Sequence, residues 1–238
     1  MQPLGSHAAT VLELKRPGQA FEQLRDQRAG LLKDYQNQAY AARYLSLVNE
    51  VAKAEKQTCG STRLAMVVAR QAYTLMAYKD EYEVARLYTD GDFLRQIDEQ
   101  FEGDWSLRFH LAPPLFSKRD AQGHLIKKPF SSRMLPVFRL LARLKFLRGT
   151  FFDPFGHTQE RRSEQALIVE YMRMIRAMIP QLSKATLESA IALASVPEEI
   201  RGYGHIKDAA IERAARLTAR FQSEFEAAAL QATVGRAA

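Results

Sequence analysis

A mainly α fold, a multi-helix domain with long antiparallel helices and a small β-hairpin insertion, follows from three observations. Apolar residues recur at three- and four-residue spacing over most of the chain. Glycine, proline and aspartate gather at a few positions between those stretches. One short segment, Trp105-Ser-Leu-Arg-Phe-His-Leu111, alternates with period two instead. With 238 residues and 47% hydrophobic content, the chain can bury one sizeable core. A single domain over residues 19–232 is therefore expected, with the β insertion near 105–130.

Each element has its own signal. Residues 1–18 carry Pro3, Gly5, Pro17 and Gly18 and read as an irregular N-terminal segment, in which Gly5-Ser-His7 looks like a cloning remnant. Phe21, Leu24, Arg28, Leu31, Tyr35, Ala39, Ala42 and Leu45 predict one long amphipathic helix ending near Gln57. After the break at Thr58-Cys-Gly-Ser61, Ser61 or Thr62 is the expected N-cap of a second long helix reaching Tyr88. Asp92 then caps a short helix from Phe93 to Phe101. Leu115–Arg119 and His124–Phe130 are expected to pair as a hairpin around Asp120-Ala-Gln-Gly123. Met134, Val137, Phe138, Leu141, Leu144 and Phe146 predict another helix, with Pro136 in its first turn and Gly149 at its end. Leu167, Ile168, Tyr171, Met174, Ile175, Met178 and Ile179 form the widest apolar face, stopped by Pro180. A helix over Leu182–Val196 and a last one over Ile206–Leu230 complete six or seven, and 233–238 is expected to be a disordered tail.

Composition excludes several classes of function. The longest apolar runs, Ala65–Ala69 and Ser189–Ser195, fall far short of the roughly 18 apolar residues that span a bilayer. No basic stretch followed by an apolar core marks a secretory leader, and with Cys59 as the single cysteine no intrachain disulfide can form. A cytoplasmic location fits these features. Four thiolates normally hold a four-iron cluster, so none is expected in this chain. Cys59 reads as a plain surface or half-buried thiol, with no histidine or metal suggested nearby to lower its pKa. His110, His124, His157 and His205 lack the paired spacing of a zinc site. No serine-hydrolase elbow or P-loop pattern occurs.

Charge is the more informative property. Lys118, Arg119, Lys127, Lys128, Arg133, Arg139, Arg143, Lys145 and Arg148 face only Asp120, which puts the net +7 of the chain into one segment. Lys118, Arg119, Lys127, Lys128, Arg139 and Arg143 form the candidate docking surface. Three uses are open: a solvated face, a contact to an acidic protein or neighbouring subunit, and nucleic acid, the least favoured. Gly202, Gly204, His205 and Lys207 precede or open a helix and form a weak candidate anion site, against the simpler reading of a glycine hinge. Lys79, Asp80, Glu81, Glu83 and Arg86 among Tyr78, Tyr82 and Tyr88 read as a salt-bridged helix face, although their density also suits a polar interface or buried network. Thr89-Asp-Gly-Asp92 inverts the Gly-Asp-Gly order of thiamine diphosphate sites, and Asn37 and Asn49 lie upstream of it, so it reads as a turn and cap.

Longer strings carry a resemblance. Leu32–Tyr44, Leu75–Tyr88, Phe101–Trp105, Leu107–Pro114, Leu135–Gly149, Asp153–Gly156 and Pro197–His205 resemble the C-terminal helical region of the fused indolepyruvate ferredoxin oxidoreductases, together covering roughly Phe21–Phe221. Ser131-Ser-Arg133 departs from the Gly-Pro-Trp usual there. The resemblance implies a parent enzyme that decarboxylates aryl pyruvates oxidatively with thiamine diphosphate and magnesium, forms the acyl-coenzyme A, and reduces ferredoxin through 4Fe-4S clusters. No cofactor or catalytic residue of that chemistry matches a position in this chain. It implies a non-catalytic domain or subunit that supports assembly, gating or ferredoxin docking beside the catalytic domains, in an enzyme that is a homo-oligomer.

Overall fold

The computed structural model of the chain describes residues 17–103, 106–111, 128–202 and 205–237. Among them are nine α-helices and one two-stranded antiparallel sheet, so the fold is mainly α.

Three antiparallel helices begin the fold: α1 (Pro17–Tyr35), α2 (Gln38–Cys59) and α3 (Arg63–Met76). The expected first helix is thus two, because Asn37 leaves helical geometry (φ −168°, ψ 177°) and its side chain accepts from Tyr40 N at 2.9 Å. An asparagine cap satisfies a backbone donor that the helix start would otherwise orphan. Neither Thr62 nor Ser61 caps α3 in the expected way: Thr62 makes no capping bond, and Ser61 reaches only Arg63 N. Instead the fully buried Glu55 of α2 accepts from Leu64 N at 3.0 Å and Ala65 N at 2.8 Å.

The expected second helix also divides. α4 (Glu81–Leu87) begins at Asp80, whose side chain accepts from Glu83 N at 2.8 Å, and α5 (Asp92–Gln100) follows with Gly91, not Asp92, at its N-cap. Strands β1 (Arg108–Leu111) and β2 (Lys128–Ser131) pair with Phe109 opposite Phe130. The described end of the second expected strand, Lys128–Phe130, therefore pairs with the period-two segment before it, while Leu115–Arg119, the Asp120–Gly123 turn and residues 124–127 lie outside the described residues. α6 (Leu135–Arg143) continues into a 3-10 turn over Leu144–Leu147.

α7 (Gln159–Met178) ends before a 3-10 turn containing Pro180. α8 (Leu187–Ser195) starts five residues later than expected because Ser183 N donates to Thr186 Oγ1 (2.9 Å) and Thr186 N to Ser183 Oγ (3.3 Å), which fixes a turn there. α9 spans His205–Ala237. It thus runs into the tail expected to be disordered, since alanine favours helix over coil, and α1 likewise starts inside the segment expected to be irregular, with Pro17 in its first position.

Two hydrophobic clusters result. The larger joins α1, α2, α3, α7, α8 and Phe225 of α9, around Leu32, Tyr44, Val48, Val68, Met76 and Ile175. A smaller one gathers Ala85 of α4, Phe109 of β1 and Phe138 of α6, with Tyr88 packed against both phenylalanines at 5.0 and 5.8 Å. No helix among the described residues is long and apolar enough to cross a membrane.

Tyrosines tie these helices through backbone carbonyls: Tyr40 Oη donates to Met76 O, Tyr44 Oη to Ala69 O, and Tyr171 Oη to Ala194 O, at 3.0, 3.2 and 3.0 Å. Burial pushes the phenols of Tyr35, Tyr40, Tyr44, Tyr78, Tyr82 and Tyr171 above their ordinary range. Below the unfolded pKa of about 10 both states hold these protons, and the stabilising contribution is complete. Above it the unfolded chain loses protons that the folded chain keeps, so stability falls as pH rises. Phenolate absorbance and far-UV circular dichroism are expected to change together in an alkaline titration. Complete phenolate formation before any loss of helix would contradict this.

Candidate functional site

The tyrosine-rich block from Tyr78 to Tyr88 sits at the joint between the two hydrophobic clusters. Because α3 stops at Met76 and α4 starts at Glu81, the chain bends there and turns its charges inward. Arg148, at the end of the 3-10 turn after α6, donates from Nη2 to Asp80 Oδ1 at 2.9 Å and from Nε to Asp80 Oδ2. Its Nη1 takes the carbonyl of Tyr35 at the end of α1, and its guanidinium lies 3.7 Å from the centre of the Tyr35 ring. Lys145 Nζ binds the Asp34 carbonyl one residue earlier. Two members of the basic segment therefore cap the C-terminus of α1, where cations complement the helix dipole.

The same joint extends to α7 and α9. Tyr82 Oη donates to Asp153 Oδ1 at 3.0 Å. Arg161 of α7 bridges Glu164 and Glu81, with its guanidinium 5.0 Å from the Tyr78 ring centre. Lys207 of α9 completes the set by pairing with Glu164. Burial pushes the Glu81 carboxyl up, against the pull of Arg161. The block divides between its two readings: Asp80, Glu81 and Tyr82 join a buried network, while Arg86 pairs along α4 with Glu83 and Asp90 as a salt-bridged helix face and Lys79 is exposed. Cations and carboxylates here satisfy one another, which suits a fixed joint between segments better than acid–base work on a substrate.

Candidate residues named from sequence scatter in the fold. Gly202 has φ +101°, and a Cβ there would meet Ile206 Cγ2 at 2.6 Å, so glycine serves the bend into α9. Lys207 is committed to Glu164, while Gly204 and the His205 side chain lie outside the described residues. Lys118, Arg119 and Lys127 also lie outside them, whereas Lys128 on β2 and Arg139 and Arg143 on α6 are exposed. Arg133, between β2 and α6, is exposed as well. On α6 the buried side is Phe138 with half-buried Leu141 and Ala142, and the outer side carries Val137 and Leu140, 50% and 60% exposed, beside the two arginines.

By charge alone Arg148 belongs to the basic segment, and no sequence signal singles out Asp153, Arg161 and Glu164 as its companions in a network. A signal for the joint existed: Asp80-Glu-Tyr-Glu83 has the spacing of a capping box, which marks a helix start inside the periodic run. No group of three or more histidine, cysteine or acidic side chains among the described residues converges to hold a metal ion. A groove of about 330 Å3 between α3, α7 and α9 is lined mainly by apolar side chains, including Leu75, Tyr171, Met174 and Ala214.

No curated protein and no solved structure matches the chain. A family profile does, over residues 21–220, which takes in α2 to α8, most of α1 and about the first half of α9. The chain belongs to DUF6537, a family of unknown function.

Proposed function

We propose that this chain is a non-catalytic helical domain of an indolepyruvate ferredoxin oxidoreductase-like enzyme, and that its β2–α6 surface docks the acidic electron acceptor, ferredoxin. The resemblance stated above supplies the enzyme class. The outer face of α6 carries the docking role: Val137 and Leu140 lie exposed beside Arg139 and Arg143, with Lys128 and Arg133 nearby in sequence. A helix apolar on two sides is one whose outer side is covered in use. Cations around that apolar strip favour an acidic cover and speed its approach. A second copy meeting this face across a two-fold axis would set the arginines against one another, which opposes self-association there.

On this reading thiamine diphosphate, magnesium, 4Fe-4S clusters and coenzyme A belong to the catalytic domains of the parent, a cytoplasmic homo-oligomer. In the native full-length enzyme, Arg139→Glu with Arg143→Glu is expected to raise the KM for ferredoxin about tenfold or more at low salt, the difference shrinking as salt screens the charges. An unchanged KM at low salt sinks the docking role. An altered elution volume on a sizing column with unchanged KM assigns the surface to assembly instead.

A further inference from the structure

The loop after the 3-10 turn of α6 presents an aromatic pair to solvent on a fixed frame. Phe151 and Phe152 are 84% and 76% exposed, with ring centres 5.6 Å apart in an edge-to-face arrangement. The frame is the buried carboxylate of Asp153. Its Oδ2 accepts from Gly149 N at 2.9 Å, and its Oδ1 accepts from Phe155 N at 3.1 Å and from Tyr82 Oη at 3.0 Å. Turn bonds from Thr150 N to Leu147 O, Asp153 N to Thr150 O and Thr158 N to Phe155 O close the loop on both sides, at 2.9, 3.1 and 3.2 Å. Gly156 packs so closely that a Cβ there would lie 2.9 Å from Asp153 Oδ2. Phe155 turns inward against Tyr82, with ring centres 5.3 Å apart. Aromatic residues of one loop thus divide, Phe155 half-buried against Tyr82 and Phe151 and Phe152 in water, around a single buried acid.

Large aromatic side chains held outward on a pre-ordered loop are the kind of residue that dominates interface energetics, since little entropy remains to be lost on binding. We propose that Phe151 and Phe152 are the anchor by which the basic α6 face holds its acidic protein partner, seated in an apolar pocket of that partner. The proposal rests on the docking role given above. Arg143 and Phe151 are eight residues apart, at most about 28 Å along the chain, within the width of a typical interface of about 800 Å2 per partner. Arginines on the rim then set the rate of encounter, and the phenylalanines set the lifetime of the complex.

The test measures binding of the native full-length protein to an immobilised two-cluster ferredoxin, with Phe151→Ala/Phe152→Ala and Arg139→Glu/Arg143→Glu as separate variants. The phenylalanine variant is expected to dissociate about 30-fold faster or more, with its association rate and salt dependence unchanged. Thermal midpoints check that both variants fold. A wild-type dissociation rate in the phenylalanine variant, beside slowed association in the arginine variant, removes the anchor and leaves the docking role standing. Wild-type behaviour of both variants, or no binding by the wild-type protein, removes both. Sedimentation with phosphatidylserine vesicles that disappears in the phenylalanine variant makes the pair a membrane contact and also overturns the proposal.

Discussion

Replacing Arg148 with alanine is expected to destabilise the chain by about 3–5 kcal/mol, the cost typical of removing one partner from a buried ion pair. The side chain is almost completely buried, as is Asp80, and three of its nitrogens are engaged. Its loss leaves the Asp80 carboxylate buried with the α4 backbone as its remaining described partner, uncaps the Tyr35 carbonyl, and empties the space against the Tyr35 ring. Desolvation of the charge left behind, more than loss of the attraction, sets the size of the effect. Replacing both partners, Arg148→Met with Asp80→Asn, is therefore expected to cost less than the sum of the single changes. Urea denaturation followed by circular dichroism measures both. A loss below about 1 kcal/mol for Arg148→Ala would mean that the joint opens to water and solvates the acid.

The second large effect belongs to Glu55. Glu55→Ala is expected to cost about 2–4 kcal/mol, because two buried backbone donors at the start of α3 lose their acceptors together. Glutamine at this position keeps one carbonyl oxygen but sets an amide donor toward a backbone donor, so an intermediate loss is expected. Hydrogen exchange at Leu64 and Ala65 gives the site-specific check: their amides are expected to lose protection in Glu55→Ala while those in the middle of α7 keep it. An unchanged midpoint in urea would show that water replaces the carboxylate.

The two residues also show where sequence reading stopped. Helix type and approximate extent were legible because apolar spacing records which side of each helix is buried; the stretch from Leu167 to Ile179 is an example. The breaks at Asn37 and Asp80 were not, since the apolar stripes run straight across them and polar caps are brief signals inside long periodic ones. Glu55 was invisible for another reason: its partners lie across a turn, and nothing local distinguishes it from a solvated glutamate. In the hairpin, alternation found the β1 segment, but register depends on the facing strand, and the pairing settled on Lys128–Ser131. In the basic segment, a count of charges treats Lys145 and Arg148 like Arg139 and Arg143, although only the latter two are assigned to the docking surface. The fold separates the first two, which hold the end of α1, from the second two, which face solvent.

The small cluster of Ala85, Phe109 and Phe138 has a consequence through its size. So few buried side chains, centred on a two-stranded sheet and two short helices, make a unit that can open while the larger core stays closed. Anything bound to the outer side of α6 adds its free energy to that opening equilibrium. Docking and local folding are then reciprocally linked: a mutation inside the unit weakens the complex without touching its surface, and the partner protects amides it never contacts.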